Sequence, residues 1–265
     1  ATIVGVLDAV FGGKRMPMTG TRSMTLGDNV TVQDDAGALA TIANESTTLT
    51  TIGAGAHVGN VWSVGPVVIG PGALVSGFIT SASTVTPQPG ATITGSVVPN
   101  PTLSLPVPDA SFTFPSSNAG DIVLLPGQTQ TLAPGAYGAV SVPAGATLTF
   151  SRGTYDFNSL DIEPLATVNL DQTNGPIAVY VQSSLTFRSS FKSIGGAATD
   201  VLVAYEGVDS VVLQASFVGT LVALNARIEL ASVAGGHNGG FIAEDIVVDP
   251  STTVTLTPFT GGGMP

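Results

Sequence analysis

Catalytic chemistry in this chain would have to start from carboxylates or imidazoles, because it contains no cysteine. The densest acidic stretch holds Asp156, Asp161, Glu163 and Asp171. Carboxyl groups gathered on one face can divide acid and base work on a glycosidic bond, or hold a calcium ion. No compact motif supports that use: the chain has neither a Gly-x-Ser-x-Gly elbow nor a His-Glu-x-x-His pattern. His57 and His237 do not sit at zinc-ligand spacing. Gly53-Ala54-Gly55-Ala56-His57-Val58-Gly59 imitates a dinucleotide fingerprint, but the spacing is wrong and no helical pattern follows. The acids, with Asp34-Asp35 and Glu244-Asp245, are therefore read as solvated carboxylates. Arg152, Arg188, Lys192 and Arg227 are expected to answer neighbouring acids. The sequence assigns no catalytic residue, no metal ligand and no cofactor.

Two weaker patterns concern surfaces. Asn29-Val30-Thr31 and Asn44-Glu45-Ser46 match the glycosylation sequon, as chance allows in a chain rich in Ser and Thr. Thr147 and Thr149, and again Thr253 and Thr255, hint at a hydroxyl face of the kind that binds ice, which the remaining repeats do not continue.

The elements that would position these residues are strands. Charged residues are 9% of the chain and hydrophobic ones 43%, so the solvent faces must be covered by hydroxyls, which suit strands better than helices. A formal charge of -11 repels a phosphate backbone and sets nucleic acid aside. No apolar run is long enough to span a membrane as a helix. The first residues lack a basic start, so an exported chain would already have lost its signal.

Internal repetition gives the architecture. Ile52-Gly53-Ala54-Gly55-Ala56-His57-Val58 recurs as Ile69-Gly70-Pro71-Gly72-Ala73-Leu74-Val75, 17 residues on. Gly72 to Ile79 matches Gly90 to Val97 at 18, Ala133 to Tyr137 matches Ser151 to Tyr155 at 18, and Gly219 to Ala223 matches Gly239 to Ala243 at 20. Alternating pentads stand at 146–150, 166–170, 183–187, 226–230 and 252–256. A unit of 17 to 20 residues is too short for a propeller blade or a helical pair. It predicts one coil of an all-β, right-handed parallel β-helix, with about 11 to 13 coils in a rod of roughly 50 to 60 Å.

Two segments break the pattern. Pro99, Pro101, Pro106, Pro108 and Pro115 predict a crossing segment over 99–120, between solenoid segments 23–98 and 121–265. Residues 1–22 form an N-terminal cap or assembly segment, in which Ile3, Val4, Leu7, Val10 and Phe11 fall at helical spacing.

The Ile-Gly-x-Gly-Ala-x-Val copies and the 219–223 and 239–243 pair resemble the bactofilin-like, polymer-forming β-helix repeats of bacteria. That resemblance implies a triangular right-handed β-helix that polymerises end to end without a nucleotide. The expected function is a secreted or surface-displayed, non-enzymatic structural subunit that assembles with itself. The alternatives are a cell-surface adhesin that binds polysaccharide, an ice-binding protein, or a polysaccharide-degrading enzyme.

Overall fold

A computed structural model of the chain describes residues 18–105, 112–257 and 259. Ile3, Val4, Leu7, Val10 and Phe11 lie outside the described residues. Neighbouring strands pair in parallel and build a β-solenoid of about 12 turns. Alternation explains each strand: Thr147–Ser151 buries Leu148 and Phe150 and turns Thr147, Thr149 and Ser151 outward. Inward residues from all coils form one core, which includes Val32, Ile69, Phe150, Leu170, Phe217 and Ile246.

Coil lengths follow the sequence repeat where corners are tight. Ile52 stacks on Ile69, seventeen residues on, and Val61 on Ile79, eighteen on. Gly219 to Ala223 stacks on Gly239 to Ala243 at the offset read from the sequence. Two steps take twenty-four residues, from Gly153 to Ile177 and from Ile177 to Val201. The surplus sits at corners 172–176 and 195–200, the second containing the 3-10 turn Ala198–Asp200. One offset differs from expectation. Tyr137 stacks on Phe157 rather than on Tyr155, because the corner before Gly153 displaces the register by two.

The coils do not stack in chain order. Met18–Leu26 lies between His237–Val248 on one side and the strands Ile42–Asn44 and Thr50–Ile52 on the other. Numbered along the rod, coil 1 holds Ile122–Val123 and Thr129–Leu132, and coil 7 ends with Thr253–Leu256. Coil 8 starts at Met18, and coil 12 is Val97–Pro99. The N-terminal part thus climbs from mid-rod to one tip, and the C-terminal part climbs from the other tip back to the middle. The strand Met18–Leu26 runs through the boundary expected at residue 22.

Three faces result. On the first, the outward side chains Ala178, Tyr180, Leu202, Ala204, Val222 and Ile242 are buried under Phe112, Phe114 and Phe259. Farther up the same face, Ala43 is covered by Leu105 beside Trp62 and Leu103. The second face carries the ion pairs of the mid-rod seam. Arg22 pairs with Glu244 at 3.4 Å and with Asp245, and Ser23 donates to Asp245 at 2.6 Å. The hydrogen bond from the Arg22 guanidinium holds the Asp245 carboxyl below the usual carboxylate range, against the opposing effect of burial. The third face is described below.

Two strands near the coil 12 tip end in a residue with no backbone donor. Gln88 donates its N–H back to Ile69 at 2.9 Å, and Asn100 to Ser81 at 2.8 Å. Alternation then aims positions 87 and 99 at the open end, and both are proline, with no N–H to offer. The end-to-end polymer expected from the sequence meets this obstacle at one of its two ends.

His237 and Glu45 each have a buried polar atom without a hydrogen-bond partner among the described residues. His237 lies inside coil 6, its Nε2–H donating to the Ala231 carbonyl at 2.9 Å, and burial pushes its pKa down. Glu45 is half-buried at a corner of coil 9, its Oε2 bonds no partner among the described residues, and burial raises its pKa to about 8. The folded chain therefore keeps a proton that the unfolded chain gives up above its ordinary value of 4.5. Stability from this residue is highest below that pH, falls as pH rises, and levels off above about 8. Glu45→Gln should gain about 1–2 kcal/mol at pH 8, after a discount for partial exposure, and nothing at pH 4. Urea titrations at both pH values check this, and an equal gain at both would contradict it.

Candidate functional site

The third face offers a free, ordered array of side chains. Thr129–Leu132, Thr147–Ser151, Thr167–Asp171 and Phe191–Ile194 stack in that order in coils 1 to 4. Their inward residues include Leu148, Phe150, Val168, Leu170 and Phe191, which anchor the strands in the core. The outward residues then fall into columns. Thr129 stacks on Thr147 and Thr147 on Thr167; beside them Thr131 stacks on Thr149, and Thr149 on Asn169. Neighbours stand about 4.8 Å apart along the rod and about 6.6 Å apart along a strand.

These side chains are open to ligands. Thr129 and Thr131 are exposed, and the other four are half-exposed. Asn169 donates to the Thr149 hydroxyl at 3.3 Å, while the hydroxyls of Thr129, Thr131, Thr147 and Thr167 bond no other group among the described residues. A second set of polar side chains on the same face, Thr253, Thr255, Thr31 and Gln33, is partly engaged in hydrogen bonds of its own. There Gln33 donates to Thr255 at 3.4 Å, and Thr257 donates to Asn238.

The array ends at coil 4. Lys192 occupies the column of Thr131, Thr149 and Asn169, and exposed Ile194 stands beside it next to Asp171. Three of the five basic residues among the described ones lie around this end. Arg22 and Arg227 are in ion pairs, Arg227 with Glu229 at 2.7 Å. Arg152, Arg188 and Lys192 are exposed and form no ion pair among the described residues. Of the four cations expected to answer acids, Arg227 alone does so among the described residues.

The acidic candidates are separated by the same alternation. Asp156 points out from the first face and is buried there, Asp161 points out from the second, and Glu163 lies at the corner after it. Asp171 ends a third-face strand, where the Thr173 hydroxyl at 2.6 Å and N–H at 3.1 Å hold its carboxyl below the usual range. No group of three His, Asp or Glu could hold a metal among the described residues. Asp34 caps its own turn, accepting from the N–H groups of Ala36 and Ala38. Asn44 is fully buried, which closes that sequon, and its amide donates to Thr50 at 3.0 Å. Asn29 is exposed in a turn with φ +56°.

Neither a family model nor a curated protein matches the chain. The crystal structure of an ice binding protein from an Antarctic bacterium, Flavobacteriaceae, aligns with 94% of this chain and 81% of its own. Its sequence identity is 13% and the TM-score 0.32, values at which no property transfers.

The pair Thr129 and Thr131 escapes a reading by eye, because Gln130 replaces the apolar residue between them. The signal lies in the preceding glycines. Gly127 and Gly145 both take positive φ, Gly127 donates to the Gly145 carbonyl at 3.2 Å, and each stands two positions before a Thr-x-Thr.

Proposed function

We propose that the chain is a non-catalytic binding protein that works outside the cell or on its surface, where it holds an extended, hydroxyl-rich glycan against the third face of coils 1 to 3. The observation that carries this reading is the register of Thr129, Thr147 and Thr167 beside Thr131, Thr149 and Asn169, all uncharged, with the hydroxyls of Thr129, Thr131, Thr147 and Thr167 bonding no other group among the described residues. Hydroxyl and amide groups donate and accept, which matches sugar hydroxyls in either orientation.

Size favours a polymer segment over a crystal plane. Two coil steps by one strand step give a patch of roughly 10 by 7 Å, about the footprint of two sugar rings. Lys192 and Ile194 then interrupt flat contact. Sugar stacking is not used, since the outward positions of the patch hold no aromatic ring.

Thr147→Val with Thr149→Val keeps shape and strand propensity while removing two hydroxyls. Binding to immobilised glycans should fall at least about tenfold, given roughly 1 kcal/mol for each lost hydrogen bond. The same change at Thr253 and Thr255 should leave affinity within about twofold. Equal losses in both variants would refute the site, and partition of the protein into slowly growing ice without glycan binding would refute the ligand.

A further inference from the structure

We infer that the glycan held on the third face is polyanionic, with Arg152, Arg188 and Lys192 as the residues that meet its carboxylate or sulfate groups. This rests on the binding site proposed above and adds the charge of its ligand. The chain carries seven basic residues against eighteen acidic ones, so a cation is a scarce element of its surface. Of the five basic residues among the described ones, Arg22 and Arg227 serve ion pairs. The remaining three fall within coils 2 to 4.

Their placement frames the hydroxyl array. Arg152 follows Thr147–Ser151 at the corner toward the first face. Arg188 follows Ile177–Phe187 at the corner from the second face, and Lys192 lies in the strand that stacks on Asn169. A chain of sugars along the threonine columns would present groups to Lys192 at one end and to an arginine at either margin. Arg grips a carboxylate or sulfate with two parallel N–H bonds, and Lys meets it as a point charge. The acids nearest in the stack weaken this field but pair with none of the three cations among the described residues. Asp171 is turned to Thr173, and Glu163, beside Arg188 in the adjacent coil, forms no ion pair with it.

Charge complementarity also accounts for selection. An overall charge of -11 repels polyanions from most of the surface, so such a ligand is held where the cations without an ion-pair partner among the described residues stand together.

The test uses the full chain with dextran, dextran sulfate and polygalacturonate as probes. The wild type should bind the two charged polymers at least about tenfold more tightly than dextran, with the preference lost between about 0.02 and 0.5 M salt as the screening length shrinks. Arg152→Glu, Arg188→Glu and Lys192→Glu should each lower affinity for the charged polymers at least about threefold and leave dextran binding unchanged; all three side chains are exposed, so folding is retained. The two charged probes separate sulfate from carboxylate as the preferred group. Equal binding of neutral and charged polymers, or unchanged affinity in all three charge reversals, overturns this inference and leaves the hydroxyl site standing. Binding of none of the three polymers overturns both.

Discussion

Gly239→Ala should leave almost no folded protein. In coils 6 and 7 Gly239 stacks directly on Gly219. A Cβ built on Gly239 would lie 1.5 Å from the Gly219 carbonyl oxygen and 2.6 Å from its carbon. Those atoms are backbone, held by the parallel ladder on both sides, so no side chain can swing away. The coils themselves must separate, which places the cost beyond about 4 kcal/mol, at the far tail of single substitutions. Gly72→Ala is the comparison. Its φ of +68° disfavours alanine, but nothing lies within 4 Å, so the loss should be about 1–2 kcal/mol. Expression yield, circular dichroism and urea unfolding of both variants test the contrast. Similar unfolding midpoints for the two would show that the glycine contact is not what fixes coil spacing.

Phe217→Ala should cost about 3–5 kcal/mol and lower the melting temperature by about 10 °C. Phe217 is fully buried, with ring centroids 5.4 Å from Phe187, 5.6 Å from Phe191 and 5.9 Å from Phe241. It fills the interior of coil 5 on the third-face side, where the chain between Val211–Leu213 and Val218–Leu230 forms no strand of its own. Removal opens a cavity between rings that the rigid ladders of the other two faces keep apart, so the site cannot collapse. A melting temperature within about 3 °C of wild type would mean that the interior relaxes there.

The coil was legible in the sequence because its cause is local. Alternation and corner glycines repeat every time the chain turns, and Ile52 on Ile69, Val58 on Val75 and Thr92 on Leu74 stack at the offsets the residues imply. The face on which a strand lies was not legible, since an alternating pentad looks the same on each. Ala146 to Phe150, Ala166 to Leu170 and Thr252 to Leu256 lie on the third face, whereas Ser183 to Phe187 and Ala226 to Leu230 lie on the second. This explains why the threonine pairs looked discontinuous, and why three unpaired cations looked scattered.

Tyrosine gives a finer example. Tyr137 donates to the Ala133 carbonyl at 2.7 Å and Tyr155 to the Ser151 carbonyl at 3.0 Å, so the two similar pentads do build the same corner. Register depends on how many residues the preceding corner holds, and similarity between pentads carries no record of that. Chain order along the rod was hidden for a related reason. The contact between Met18–Leu26 and His237–Val248 joins stretches more than two hundred residues apart, and no periodic signal spans them.

That inverted order has a mechanical consequence. Residues 18 and 257 both lie at the waist of the rod, where Phe241 neighbours Met18 and Leu256 neighbours Asp34. Tension applied through these two points is borne first by the waist, coil 7 against coil 8, clamped by Arg22 and Asp245. The tips carry no load, so the threonine array near coil 1 would keep its shape while the molecule is pulled.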